Sequence, residues 1–149
     1  MTQCNICNWP NNGSQEPLIF ETDYWRVLLA PNQSLLGRCY VNLRRHTGKL
    51  SALHPQEIED WLAVLKRLEI SATAAFDATL FNWQCNLNFA YKEQHPDPHI
   101  HWHFMPRYGS KRTLFGYMFE DVDFGGLYKP RNYELPPETL IKIAELLQS

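Results

Sequence analysis

The chain has 149 residues, enough for one domain with a sizeable core. Hydrophobic residues make up 44% and charged residues 20%, and the formal net charge is -2. That balance excludes a global basic field for gathering nucleic acid, and no apolar run reaches the length of a membrane-spanning helix. Basic residues cluster only locally, in "RRHTGK" (44–49) and "RYGSKR" (107–112), beside histidines that a small anionic ligand could share. "MTQCNICNWP" has neither the charged nor the apolar region of a secretory leader. With four cysteines, this predicts a reducing, cytoplasmic setting and no disulfide framework.

In chain order, "PLIFETD" (17–23) and "WRVLLAP" (25–31) read as two short strands joined tightly at Asp23-Tyr24. "RCYVNLRR" (38–45), entered through Gly37, is a third. Residues 54–76 carry Ile58, Trp61, Leu62, Leu65, Glu69, Ala72 and Phe76 at helical spacing. Pro55 suits the first helical position, and Glu57, Glu59 and Asp60 suit the positive end of the helix dipole. "FNWQCNLNFA" (81–90) reads as a fourth strand, and the turn-rich "YKEQHPDP" leads to a fifth at 99–105. Cys39 and Cys85 fall inside these strands and read as small buried hydrophobes. The segment 112–138, rich in Gly, Pro and aromatics, is expected to wrap the body irregularly; Pro136-Pro137 then introduce a short amphipathic helix. Antiparallel strands with one long helix and no βαβ alternation give an α+β class.

The fifth strand holds the densest chemistry. "HPDPHIHWHFMPRY" contains four of the six histidines, and His99, His101 and His103 alternate with Ile100, Trp102 and Phe104. A strand puts alternate residues on one face, so three imidazoles line up over an apolar underside. Imidazole is nucleophile, proton carrier or metal ligand near neutral pH. A middle ring held by its neighbours keeps one nitrogen free to attack phosphorus, with nearby cations stabilising the charge on phosphate oxygens. A solvent-facing or purely metal-binding row is the simpler alternative. "Cys4-Asn5-Ile6-Cys7" is half of a tetrahedral zinc site; taken alone, a redox pair or chance fits it as well, although "NWP" follows where a redox motif wants a helix.

The pattern His99-Ile100-His101-Trp102-His103-Phe104-Met105 resembles the signature of the histidine triad superfamily of nucleotide hydrolases and transferases. The resemblance runs over 17–108 and includes "LLGRCYVNLRRHTGKLSAL" before the long helix and Pro106-Arg107 after the triad. It implies a histidine-triad-like fold: a five-stranded antiparallel sheet with one long helix, here preceded by an arm (1–16) and followed by a C-terminal extension (109–149). It implies cleavage at the α-phosphorus of a nucleotide through a nucleotidyl-histidine, with His101 as nucleophile and His103 beside the phosphate. It implies a homodimer, and Asn88 as a polar phosphate contact. In relatives with an N-terminal Cys-x2-Cys, zinc is completed by a histidine after the basic strand and by the first triad histidine. Cys4, Cys7, His46 and His99 match those positions, as a closed structural site that pins the arm.

Three positions depart from the family pattern. Ala30 stands where a ribose-binding Asp or Asn is usual, with Asn32 the nearest substitute. Gln94-His95-Pro96-Asp97-Pro98 replaces a Gly-Gln-Ser/Thr phosphate loop, leaving Gln94 or His95 to donate and Asp97 to point away or meet a cation. Arg38 replaces a frequent fourth histidine; it can hold phosphate but cannot act as a base. With Arg107, these residues make up the expected binding set. The expected partner is a small nucleotide, not a specific nucleic acid sequence or a membrane. The expected activity is hydrolysis more than transfer, and the competing expectation is a nucleotide-binding scaffold with little turnover.

Overall fold

A computed structural model describes residues 4–149, so positions 1–3 of the expected arm lie outside the described residues. Strands β1 (Leu18–Glu21), β2 (Trp25–Leu29) and β3 (Cys39–Leu43) come first, followed by helix α1 (Pro55–Phe76). Then come β4 (Leu80–Gln84), β5 (His101–Arg107), the small hairpin β6 (Arg112–Leu114) and β7 (Tyr117–Phe119), and helix α2 (Pro137–Leu146). The main sheet is antiparallel, in the order β1-β2-β3-β5-β4. The two central strands carry the basic segment and the histidine row, with Tyr40 opposite His103 and Asn42 opposite His101.

Alternation sorts the side chains. Val27, Leu29, Cys39, Val41 and Phe104 are fully buried on the helix-covered face, where α1 supplies Val64, Leu68, Ala72 and Phe76. Helix α2 adds Leu140, Ile143 and Ala144 to the same core. The two helices are tied where Arg67 and Ser71 donate to the carbonyls of Gln148 and Ser149. Gly37 turns the chain into β3 at φ 79, and a Cβ there would sit 2.8 Å from the Phe76 ring. Only glycine satisfies both demands.

The structure departs from the sequence reading in three places. The helix stripe is rotated: Ile58 and Leu62 are exposed, whereas Glu57, Val64 and Leu68 are buried. The rotation is set at the first turn, where the Glu57 carboxylate accepts from the His54 backbone N–H and from Arg45, and the Glu57 carbonyl accepts from the Trp25 indole. The fourth strand stops at Gln84, and Asn88–Lys92 form a 3-10 turn instead. Its pairing with β5 ends at Gln84 opposite His103, two residues short of the start of β5 at His101. The tail is less irregular than expected, since it holds the β6–β7 hairpin.

Candidate functional site

The loop after β3 and the lead into β5 are drawn together by backbone bonds. Leu43 N–H donates to the Ile100 carbonyl, and Ile100 N–H to that of Thr47. Gly48 lies so close to Pro98 that a Cβ would fall 2.5 Å from its ring. This clamp brings His46 beside His99, ring centroids 4.9 Å apart, and the arm delivers Cys4 and Cys7 to the same corner.

Four donor atoms converge there, all within 4.8 Å of one another. His99 Nδ1 lies 3.2 Å from Cys4 Sγ, 3.4 Å from Cys7 Sγ and 3.1 Å from His46 Nδ1, and His46 Nδ1 is 3.2 Å from Cys7 Sγ. A zinc tetrahedron with sulfur and imidazole ligands has edges of about 3.3–3.8 Å, so the set fits that metal with little contraction or expansion. Both rings are aimed from behind. His99 Nε2 donates to the Leu43 carbonyl at 2.6 Å, and His46 Nε2 lies 2.8 Å from Asp97 Oδ1. Each histidine therefore turns Nδ1 to the centre, with the outer nitrogen held in the manner of metal-bound imidazoles. Burial lowers the His99 pKa, favouring the neutral, ligating form. Asp97, unexpected in a phosphate loop, is thereby occupied with His46.

The other two histidines face a different task. His101 Nδ1 is 2.8 Å from the His99 carbonyl. A carbonyl only accepts, so Nδ1 holds the proton and Nε2 of the neutral ring keeps its lone pair. His103 has the opposite tautomer: the Arg38 guanidinium lies 3.3 Å from Nδ1 and can only donate, leaving the proton on Nε2. Burial, then His101 and Arg38, push the His103 pKa down to about 4, so the ring is neutral near pH 7. Tyr40 packs edge-on against His103, and Arg38 lies between the Tyr40 and Tyr128 rings. Arg38 Nε is buried with no hydrogen-bond partner among the described residues. His101 also borders a cleft of about 660 Å³ lined by Phe89, Glu93, Gln94 and His95.

The expected binding residues divide. Arg38 stands at His103, and Gln94 lines the cleft beside His101. Asn88 sits exposed on the 3-10 turn, off the sheet. Two expectations need correction. Asn32 is committed to the extension: its amide donates to the Arg131 carbonyl at 2.5 Å and its oxygen accepts from Ser34 N–H. Arg107 is buried, and its N–H groups are spent on Asp121, Asn82 and the carbonyls of Gly126 and Asp123, leaving none for a phosphate. Sequence reasoning also missed Gln33, a buried side chain that bonds the Ala30 and Arg38 carbonyls and the Gly37 N–H, and so shapes the approach to Arg38. Its place in the polar run Asn32-Gln33-Ser34 gave no signal of this.

No protein-family model and no curated protein sequence matches the chain. Solved structures do match its fold. A hypothetical histidine triad nucleotide-binding protein of Sulfolobus tokodaii strain 7 is 16% identical, with 97% of this chain and 89% of that one covered, at TM-score 0.69. A Zn-bound histidine triad family protein of Mycobacterium smegmatis is 18% identical over 98% and 93%, at TM-score 0.66. The Plasmodium falciparum diadenosine triphosphate hydrolase is 16% identical over 91% and 75%, at TM-score 0.61.

Proposed function

We propose that this chain, which has the histidine triad fold, is a nucleotide hydrolase or nucleotidyltransferase, hydrolysis being the main outcome. The reading is carried by the opposed tautomers of His101 and His103. His101 Nε2 attacks the α-phosphorus, the bond from phosphorus to the leaving group breaks, and a nucleotidyl-His101 intermediate forms. The proton on His101 Nδ1 stays bonded to the His99 carbonyl throughout. Neutral His103 donates its Nε2–H to a phosphoryl oxygen, and Arg38 adds positive charge behind it. Water then breaks the nitrogen–phosphorus bond and releases a nucleoside monophosphate, with its proton going to solvent.

Cys4, Cys7, His46 and His99 would hold zinc. Four protein ligands leave no open position, so the metal supplies rigidity and no reactive water. A homodimer is part of the proposal: β4 is an edge strand, Ile58 and Leu62 on α1 are exposed, and the buried indole N–H groups of Trp61 and Trp102 have no partner among the described residues. The cysteines form no disulfide among the described residues, which fits a reducing cytoplasm, and no helix among the described residues is long and apolar enough to cross a membrane.

The test is turnover of diadenosine polyphosphates, adenosine phosphoramidate and a nucleotide sugar, with mononucleotide release followed by chromatography. The wild type releases mononucleotide, and His101→Ala loses at least about a thousandfold. Release that persists in His101→Ala rejects the covalent route. A second reading, a nucleotide-binding protein with little turnover, draws on the diversion of Asn32 to the extension; binding without release by the wild type supports it.

A further inference from the structure

One register row crosses four strands. Glu21 pairs with Arg26, Arg26 with Asn42, and Asn42 with His101. Directly opposed residues of an antiparallel sheet share a face, with Cβ atoms about 4.5–5.5 Å apart. Asn42 thus stands beside the proposed nucleophile, on the face opposite the Val41 and Leu43 side chains.

Two observations set Asn42 apart. It is only 5% exposed, and its side-chain amide makes no hydrogen bond to any described residue. The amide atoms keep a small solvent contact, so a ligand on this face can supply the partner that the protein does not. Next in the row, Arg26 bonds Glu21 through Nε at 2.5 Å and lies over the Trp9 ring, while its two Nη groups likewise make no hydrogen bond to any described residue. Orienting His101 does not account for Asn42, since the His101 ring is already held through Nδ1 by its own strand.

We infer that Asn42 is a substrate-binding residue whose amide N–H donates to a phosphate oxygen of the nucleotide at His101, with the Arg26 Nη groups supporting the same anion. Donors without acceptors, a cation next in line and an adjacent phosphorus-seeking nitrogen select an anionic oxygen as the missing partner. The inference rests on the nucleotide reading proposed above.

The test is calorimetric binding of AMP to the full-length zinc-loaded protein, alongside thermal melting, for wild type, Asn42→Leu, Asn42→Asp and Arg26→Gln. Leucine is close to asparagine in shape and no protein hydrogen bond is lost, so Asn42→Leu melts close to the wild-type temperature yet binds AMP about tenfold or more weakly. Asn42→Asp keeps the shape, adds negative charge and binds more weakly still; it carries the test if the leucine variant folds poorly. Arg26→Gln shows a smaller loss that shrinks as salt is raised. A lower melting temperature with AMP affinity within twofold of wild type makes Asn42 structural and overturns the inference alone. Wild-type protein that binds no AMP overturns the nucleotide reading and this inference together.

Discussion

His99 and His101 are two residues apart on one segment, yet their surroundings assign them opposite work. Both nitrogens of His99 are engaged: Nε2 on the Leu43 carbonyl, Nδ1 among Cys4, Cys7 and His46. One nitrogen of His101 is engaged, by the His99 carbonyl, and the other is left with its lone pair. The closed corner is built from three distant parts of the chain and is suited to holding still. The open face is built from one strand and its neighbour and is suited to meeting a ligand. Identical side chains at strand alternation acquire different chemistry from what satisfies their second nitrogen.

The sharpest way to break this contrast is to open the closed corner. Cys4→Ser is expected to reduce zinc from one per chain to almost none and to lower Tm by about 10 °C or more, because structural zinc contributes directly to folding. Metal analysis and calorimetry check both. A chelated wild type should match the variant, and an unchanged Tm would separate the corner from the stability of the fold.

A smaller effect comes from the far end of the same strand. Arg107 and Asp121 form a buried ion pair at 2.6 Å. Asp121→Ala leaves a buried guanidinium uncompensated and should cost about 3–5 kcal/mol in denaturant unfolding. Turnover per folded molecule should stay near wild type, since Arg107 has no free donor for substrate. A selective rise in KM without loss of stability would restore Arg107 to the binding set.

Gly48→Ala tests the clamp rather than the ligands. Its Cβ would meet Pro98 ring and carbonyl atoms at 2.5 and 2.7 Å. The segments must part, at a cost of about 1–3 kcal/mol, and zinc affinity, read by competition with a chelator, should fall about tenfold as His46 and Asp97 separate.

A pH dependence is expected on the open face. The His103 pKa is lowered to about 4 in the folded chain, below its ordinary value of 6.5. Between these values the unfolded chain binds the extra proton and the folded chain does not, so this group makes stability rise with pH from about 4 to 6.5. Below about 4 both states are protonated and the contribution is gone. Melting curves across that window should show the slope, and His103→Gln should flatten it.

The row of histidines was legible because strand alternation is a local signal. The corner was legible only in part: Cys4-x2-Cys7 is local, but its pairing with His46 and His99 spans up to 95 residues and came from resemblance. What stayed hidden depends on distant partners. Arg107 looks like a free cation in "MPRY", since the carboxylate that captures it stands fourteen residues later in the extension. Asn32 looked available for ribose until the extension crossed it at Arg131. The helix stripe went wrong for a related reason: Glu57 reads as a solvated first-turn acid, but Arg45 draws it inside and turns Ile58 and Leu62 outward.

The Arg107–Asp121 pair also sets a limit on how this molecule can be divided. The histidine-bearing segment ends near Tyr108, and a boundary drawn there looks natural in the sequence. Such a cut would remove the carboxylate and the Gly126 and Asp123 carbonyls that satisfy a guanidinium lodged four residues past His103. It would also take away the Tyr128 ring that flanks Arg38. The extension is thus less an appendage than the second half of the strand's own housing, and the smallest fragment that keeps the triad strand in shape reaches at least Tyr128.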